Sequence, residues 1–125
     1  MKSAAMNKLK KIMVVDDDPA IVDSITLLLE FEGYDVSTIS HAAGLLKMEN
    51  EFPDLLLLDI WMSGTDGRDI CKQLKQKTTT REIPIVLISA SREIEKSAKE
   101  AGANDFLSKP FEVTDLLQKV RQYTN

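Results

Sequence analysis

A chain of 125 residues that is 43% hydrophobic and 29% charged can bury one core, which excludes an intrinsically disordered polypeptide and leaves no room for a second domain. A net charge of -4 excludes whole-domain electrostatic attraction to nucleic acid, and the single cysteine, Cys71, excludes an internal disulfide and fits a reducing cytoplasm. No apolar run approaches the roughly 18 residues of a membrane span, and the N-terminus lacks the apolar stretch of a secretory signal, so neither export nor membrane anchoring is expected.

Residues 1–10 are expected to form a disordered arm, with Met6 a candidate natural start that would make 1–5 an appended remnant, and residues 11–125 form the domain. Ile12-Met13-Val14-Val15 is a continuous apolar run typical of a strand buried on both faces, and it stops at Asp16-Asp17-Asp18. Asp18 is a candidate cap and Pro19 suits a first helical turn, after which Ile21, Ile25 and Leu28 recur at helical spacing up to Gly33. Tyr34 to Ile39 reads as a second strand, more polar and so nearer a sheet edge. A second helix is expected from about His41 to Glu51.

Pro53-Asp54 then punctuates the chain before Leu55-Leu56-Leu57-Leu58, a third and central strand that stops at Asp59 and is followed by a Gly-containing loop to Gly67. Ile70, Cys71 and Leu74 predict a third helix, ending in Thr78-Thr79-Thr80, and Pro84 to Ile88 a fourth strand ending at Ser89. A fourth helix over Arg92 to Ala101 is closed by Gly102, a short fifth strand over Asp105 to Ser108 ends at Lys109-Pro110, and Val113, Leu116, Leu117 and Val120 mark the last helix. Five strands alternating with five helices predict a doubly wound α/β fold, a parallel sheet covered on both faces.

Four of the strand-like runs end on reactive polar groups: the Asp16-Asp17 pair, Asp59, Ser89 and Lys109. Parallel strands bring their carboxyl ends to one edge, where open α/β folds bind ligands. Three gathered carboxylates repel one another unless a hard cation compensates, and Mg2+ prefers oxygen donors and commonly bridges carboxylates to phosphate oxygens. Lys109 adds a mobile positive charge and Ser89 a hydroxyl donor, so the set suits phosphoryl transfer, with Asp59 the best nucleophile because it stands alone at the end of the most apolar strand. Each residue alone has a plainer reading as a turn, cap or solvated charge; their co-occurrence carries the argument.

The segments Val14-Val15-Asp16-Asp17-Asp18-Pro19, Asp54 to Asp59, Ile83 to Ala90 and Phe106-Leu107-Ser108-Lys109-Pro110-Phe111 together resemble the response-regulator receiver family over residues of about 11 to 123. The resemblance implies a (βα)5 flavodoxin-like sheet of order 2-1-3-4-5 in a two-component system. It implies that Asp59 accepts a phosphoryl group from a sensor histidine kinase or histidine phosphotransfer protein, as a signalling acceptor rather than an enzyme with its own substrate. It further implies that Mg2+, or Mn2+, is held by Asp16, Asp17, Asp59 and the backbone carbonyl of Trp61, with Asp17 the favoured direct ligand of the acid pair. Ser89 and Lys109 would contact the phosphoryl group, Phe106 would be the aromatic switch, and Lys109-Pro110 a cis bond. The fourth helix, fifth strand and fifth helix would present the changed face to an output partner of unknown identity or to a second copy in a phosphorylation-linked homodimer.

Departures from the family pattern are Ser63, where a proline is common, and Phe106, which lacks the hydroxyl of the tyrosine often found there. Trp61, with Ser91, occupies a position that influences water access in the family; its bulk either slows dephosphorylation or simply packs against the loop. Cys71 is expected in or beside the core, His41 on the surface or at a cap, and Asp66 in a turn or cap beside Gly67. Two rival classes are disfavoured. A Mg2+-dependent phosphohydrolase typically carries a second Asp where this chain has Trp61, and a flavin-binding module would need a phosphate cradle where this chain has an acidic loop. A receiver-like domain that signals without phosphate is a further alternative, disfavoured because the acceptor, acids, hydroxyl and lysine are all present.

Overall fold

The computed structural model describes residues 9–39, 41–62 and 64–125. Strand β1 (Lys11–Val15) leads into helix α1 (Pro19–Phe31), strand β2 (Asp35–Ile39) and a 3-10 helix (Ala42–Lys47). Strand β3 (Leu55–Asp59) follows, then two short strands, β4 (Trp61–Met62) and β5 (Thr65–Asp66), and helix α2 (Gly67–Gln76). Strand β6 (Ile85–Ser89), helix α3 (Ile94–Ala101), strand β7 (Asp105–Ser108) and helix α4 (Val113–Thr124) complete the chain. The main sheet is parallel throughout, in the order β2-β1-β3-β6-β7, which is the order 2-1-3-4-5 expected of its five strands.

Because side chains alternate across a strand, the four leucines of β3 serve two cores. Leu56 and Leu58 pack with Leu45, Ile70, Leu74 and Ala98, under the 3-10 helix, α2 and α3. Leu55 and Leu57 pack with Ile25 and Leu29 of α1 and with Leu116 and Val120 of α4. All four are at most 1% exposed, so each contributes roughly 1.5–3 kcal/mol by burial alone. That two-sided burial explains why β3 reads as an unbroken apolar run and why it occupies the centre. β2, with Asp35, Ser37 and Thr38 facing outward, takes an edge.

Three expectations are corrected. The helix expected from His41 to Glu51 is a 3-10 helix confined to Ala42–Lys47, after which the chain runs irregularly to β3. Gly44 lies within it and weakens any α-helix, and the segment offers only short apolar spacing before Pro53. Among its described side chains Leu45 is the one fully buried in the core, while Lys77 donates to the Leu46 carbonyl at 2.6 Å. The loop expected from Ile60 to Gly67 contains the antiparallel pair β4–β5, in which Trp61 faces Asp66 and Met62 faces Thr65. The helix expected from Arg92 begins at Ile94, because the Ser91 hydroxyl takes the Glu93 amide at 3.1 Å and holds a turn there. Residues 1–8 of the expected arm and the departure at Ser63 lie outside the described residues; Leu9 and Lys10 are exposed.

The first turn of α2 meets the end of β3 with no space between them. The Gly67 amide donates to the Ile60 carbonyl at 2.7 Å. A Cβ at Gly67 would overlap the Asp59 carbonyl oxygen and lie 2.9 Å from Ile60 Cα, both backbone atoms that cannot swing aside. Glycine to alanine in an exposed helix stabilises by about 1 kcal/mol, but here the overlap should reverse the sign. Gly67→Ala is expected to lower the unfolding free energy by roughly 1–3 kcal/mol in urea denaturation; wild-type stability would show that α2 can retreat from β3 without loss.

Candidate functional site

The parallel registers decide which residues meet. Val15 of β1 stands beside Leu58 of β3, so Asp16 and Asp59 emerge next to each other at the carboxyl edge of the sheet. Asp59 in turn pairs with Ile88 of β6, and Ser89 pairs with Ser108 of β7. The ladder continues one step further, since the Lys109 amide donates to the Ser89 carbonyl at 2.9 Å. Residues spread over more than ninety positions thus converge because each ends, or directly follows, a strand.

Asp16, Asp17 and Asp59 each present a carboxylate oxygen, all within 4.8 Å of one another. Asp16 and Asp59 are buried, 4% and 5% exposed, while Asp17 is open to solvent. Lys109 reaches across from the end of β7 and places its Nζ 3.1 Å from Asp16 Oδ2 and 3.3 Å from Asp59 Oδ1. Asp16 Oδ1 accepts the Asp18 amide at 2.9 Å, and Asp18 Oδ1 accepts the Ala20 amide at 3.0 Å, so Asp18 caps α1 with Pro19 in the first turn. Three carboxylates against one ammonium leave a negative surplus with oxygen donors only, which is the donor set that a hard divalent cation such as Mg2+ requires.

Ser89 is 1% exposed and its Oγ accepts the Ser91 amide at 3.0 Å, which uses a lone pair and leaves the hydroxyl hydrogen to donate. Phe106 is half-buried against the core beneath α3. Its ring lies 5.7 Å from Lys119 Nζ, and its amide donates to Asp105 Oδ1 at 2.8 Å. The Lys109-Pro110 peptide is cis. Trp61 is 58% exposed, with the Arg68 guanidinium 4.7 Å from the centre of its ring. Cys71 is fully buried and donates to the Ala101 carbonyl at 3.5 Å, and burial pushes its thiol up to about 11, in keeping with an inert core residue. Asp66 caps α2 through the Arg68 amide, as its place beside Gly67 suggested. His41 is exposed and precedes the 3-10 helix without capping it through its side chain.

Two residues beside the site and one beside Phe106 carry no mark in the sequence. Gly67 and Arg68 have no motif that marks them, because their roles arise from contacts made across the β4–β5 turn. Tyr123 is the third: its hydroxyl donates to Asp105 Oδ2 at 2.9 Å and to the Asn104 carbonyl at 3.0 Å, while Lys119 pairs with Asp105 Oδ1 at 3.0 Å. Burial and the Asp105 carboxylate push the Tyr123 phenol up to about 12. Spacing of four residues between 119 and 123 was the only available signal, and it is shared by many helical pairs. Beside this latch, Phe106, Pro110, Phe111, Asp115 and Lys119 border a groove of about 400 Å³ between β7 and α4.

Burial, followed by the neighbouring Asp16 charge, pushes the Asp59 carboxyl up from 3.8 to about 6, against the opposing pull of Lys109. Burial alone would push the Lys109 ammonium down, but its hydrogen bond to Asp16 and the charges of Asp59 and Asp16 hold it above the ordinary lysine value. Since the folded value of Asp59 exceeds the unfolded one, its contribution to stability is complete below 3.8 and is lost as pH rises through about 6. In metal-free buffer, Asp59→Asn is therefore expected to be more stable than wild type at pH 7.5 by about 1–3 kcal/mol, with the advantage vanishing toward pH 4. Denaturant titrations across that range check this, and a variant less stable than wild type at pH 7.5 would refute it.

The chain matches the response regulator receiver domain family over residues 12–121. It is 42% identical over 117 residues to the response regulator PleD of Caulobacter vibrioides, covering 91% of this chain and 26% of that protein. The chain spans about a quarter to a half of the length of the curated relatives it matches. A solved putative response regulator from Chloroflexus aurantiacus superposes with a TM-score of 0.87 at 31% identity, over 94% of this chain and 98% of that one. The response regulator TrrA of Thermotoga maritima, solved in complex with Mg2+-BeF, superposes with a TM-score of 0.80 at 29% identity, over 92% of this chain and 99% of that one. With the fold, the strand order and the acidic edge in agreement, the chain belongs to the response regulator receiver domain family of two-component signal transduction, whose general function is to accept a phosphoryl group.

Proposed function

We propose that Asp59 is the phosphoryl acceptor and that Asp16, Asp17, Asp59 and the Trp61 carbonyl hold the Mg2+ ion, for which Mn2+ is an equivalent. The observation that carries this reading is the meeting of three carboxylates within 4.8 Å at the sheet edge, with one lysine between two of them. Asp59 is favoured over Asp16 as the nucleophile because both Asp16 oxygens are already engaged, one by the Asp18 amide and one by Lys109. Asp59 also ends the central strand, where the backbone is fixed from both sides by β1 and β6. Bound metal supplies positive charge that keeps Asp59 ionised and neutralises the oxygens of the incoming phosphoryl group.

The donor is a phosphohistidine on a sensor histidine kinase or histidine phosphotransfer protein. A carboxylate oxygen of Asp59 forms the new P–O bond as the P–N bond breaks, and the departing imidazole nitrogen keeps the electron pair. Lys109 exchanges part of its contact with Asp59 for a phosphoryl oxygen, and the Ser89 hydroxyl donates to another. The chain thereby acts as a signalling acceptor, with no substrate turnover of its own beyond phosphotransfer and dephosphorylation. Phe106 follows Ser89, and the face made by α3, β7 and α4 carries the change to an output partner or to a second copy of the chain. Among the described residues no helix is long and apolar enough to cross a membrane, and the unpaired Cys71 thiol suits the cytoplasm. Residues 11–125 act as the receiver unit, with 1–10 an arm that takes no part in the chemistry.

Intact-mass spectrometry after incubation with acetyl phosphate and Mg2+ tests the acceptor directly. Wild type is expected to gain one phosphoryl group and Asp59→Asn none. Labelling of the variant to the wild-type extent would move the acceptor elsewhere, and an unlabelled wild type, under conditions that label an active relative, would end the reading.

A further inference from the structure

The segment that joins the acceptor strand to α2 has to hold the Trp61 carbonyl in place, yet it contains no proline and includes Gly64 at a φ of 71°. Among its described residues the ladder is the two-residue pair β4–β5, and a ribbon that short is marginal by itself. Arg68 supplies what the ribbon lacks. From the first turn of α2 it grips Asp66 with Nε at 3.0 and 3.2 Å from the two carboxylate oxygens and with Nη2 at 2.7 Å from Oδ2. The same guanidinium lies 4.7 Å from the centre of the Trp61 ring, and Trp61 is the residue paired with Asp66 across the ribbon. One planar cation therefore ties together both strands of the ribbon and the helix that follows it. The pair is partly exposed, its side chains being 34% and 26% exposed, so its hold comes from the planar two-pronged geometry and not from burial.

We propose that Arg68 is a positioning residue for the metal site: by clamping Asp66 and the Trp61 ring it fixes the Trp61 backbone carbonyl relative to Asp59 and so raises the affinity for Mg2+. This rests on the reading of Asp16, Asp17, Asp59 and the Trp61 carbonyl as the metal ligands. Arg68 touches neither the ion nor the phosphoryl group. Its action is geometric, because Mg2+ demands near-ideal octahedral geometry and loses affinity when one oxygen wanders.

The sign of the effect separates this role from simple electrostatics. Arg68 carries positive charge near a cation site, so through charge alone its removal should tighten Mg2+ binding. Loss of the clamp should weaken it. Calorimetric Mg2+ titration of the whole chain is the measurement, made on wild type, Arg68→Met, Arg68→Lys, Trp61→Leu and the double variant Arg68→Met with Trp61→Leu. Arg68→Met keeps the aliphatic stem, Arg68→Lys keeps the charge without the planar fork, and Trp61→Leu removes an exposed ring while leaving the backbone carbonyl present. All three single changes are expected to weaken Mg2+ binding by roughly tenfold, as for other groups that orient metal ligands. The double variant should be no weaker than either single change, because the two residues act as one unit. Affinity equal to or tighter than wild type in Arg68→Met and Arg68→Lys, in chains whose thermal unfolding shows them folded, overturns the proposal. If instead wild type shows no saturable Mg2+ binding that Asp17→Asn abolishes, it is the assignment of the metal site that fails.

Discussion

Two buried carboxylates on adjacent strand ends share one ammonium, and the architecture of the site follows from that constraint. Asp16 and Asp59 are brought together by the β1–β3 register, not by any attraction between them. Burial first, and the Asp16 charge second, make the bare arrangement unfavourable, which is why the Asp59 carboxyl holds its proton more tightly than an ordinary aspartate. Lys109 relieves part of the repulsion, and its long stem lets it do so from the far side of β6. A lysine suits this position because it is a compact, movable point charge; a guanidinium would lock in a bidentate pair. With Asp17 open to solvent beside the buried pair, the edge retains a surplus of negative charge and an accessible oxygen, the two properties that suit it to a small divalent cation. The leucine-rich core of β3 supplies the stability against which this local repulsion is tolerated.

Most of the sheet and the membership of the acidic edge were legible in the sequence, for a definite reason. Buried parallel strands must be apolar on both faces, so Ile12–Val15, Leu55–Leu58 and Ile85–Ile88 stand out as unbroken runs, and polar residues at their ends mark one edge of the fold. Where burial is partial the signal fades. The segment after β2 carries helical composition, but among the described side chains of Ala42–Lys47 only Leu45 is fully buried, and one anchor does not decide between an α-helix and a 3-10 turn. The β4–β5 pair was illegible because two residues per strand produce no alternation. Gly67 looked like loop punctuation, whereas its lack of a side chain is demanded by the backbone of Asp59 and Ile60. Close approach between distant atoms leaves no trace in spacing.

On the opposite flank, the contacts around Phe106 are of another kind. Asp105 gathers the Lys119 ammonium, the Tyr123 hydroxyl and the Phe106 amide, and these together hold its carboxyl below the ordinary range even though burial pushes the other way. Lys119 then lies over the Phe106 ring as well as against Asp105. Turning the ring would give up the cation–π contact, about 0.5–2 kcal/mol, while leaving the carboxylate pair intact. A difference of that size is within the few kcal/mol that separate two populated states of a switch. The phenylalanine, lacking a hydroxyl, has no hydrogen bond to break or remake, so packing and this one cation govern its position.

The two flanks of Asp59 therefore differ in how they are held, and the difference matches what the proposed function asks of each. Toward α2, the Arg68 guanidinium holds the β4–β5 ribbon, and the chain next to Asp59 is fixed by backbone atoms: the Ile60 amide bonds to the Ile88 carbonyl, the Gly67 amide bonds to the Ile60 carbonyl, and no Cβ separates α2 from β3. Such contacts cannot be exchanged without unfolding the connection, and phosphoryl transfer needs a nucleophile and metal ligands that do not shift. Toward β6 and β7, the contacts are made by side chains, the Ser89 hydroxyl, the Lys109 ammonium and the Phe106 ring, each of which can rotate within an unchanged backbone. Under the proposed function, charge added at Asp59 would be answered on that side, where the Lys109 ammonium already reaches its carboxylate. With Asp59 as the proposed acceptor, the asymmetry between its backbone-locked position and the side-chain-held groups beside it would direct the signal away from α2 and toward the face of α3, β7 and α4.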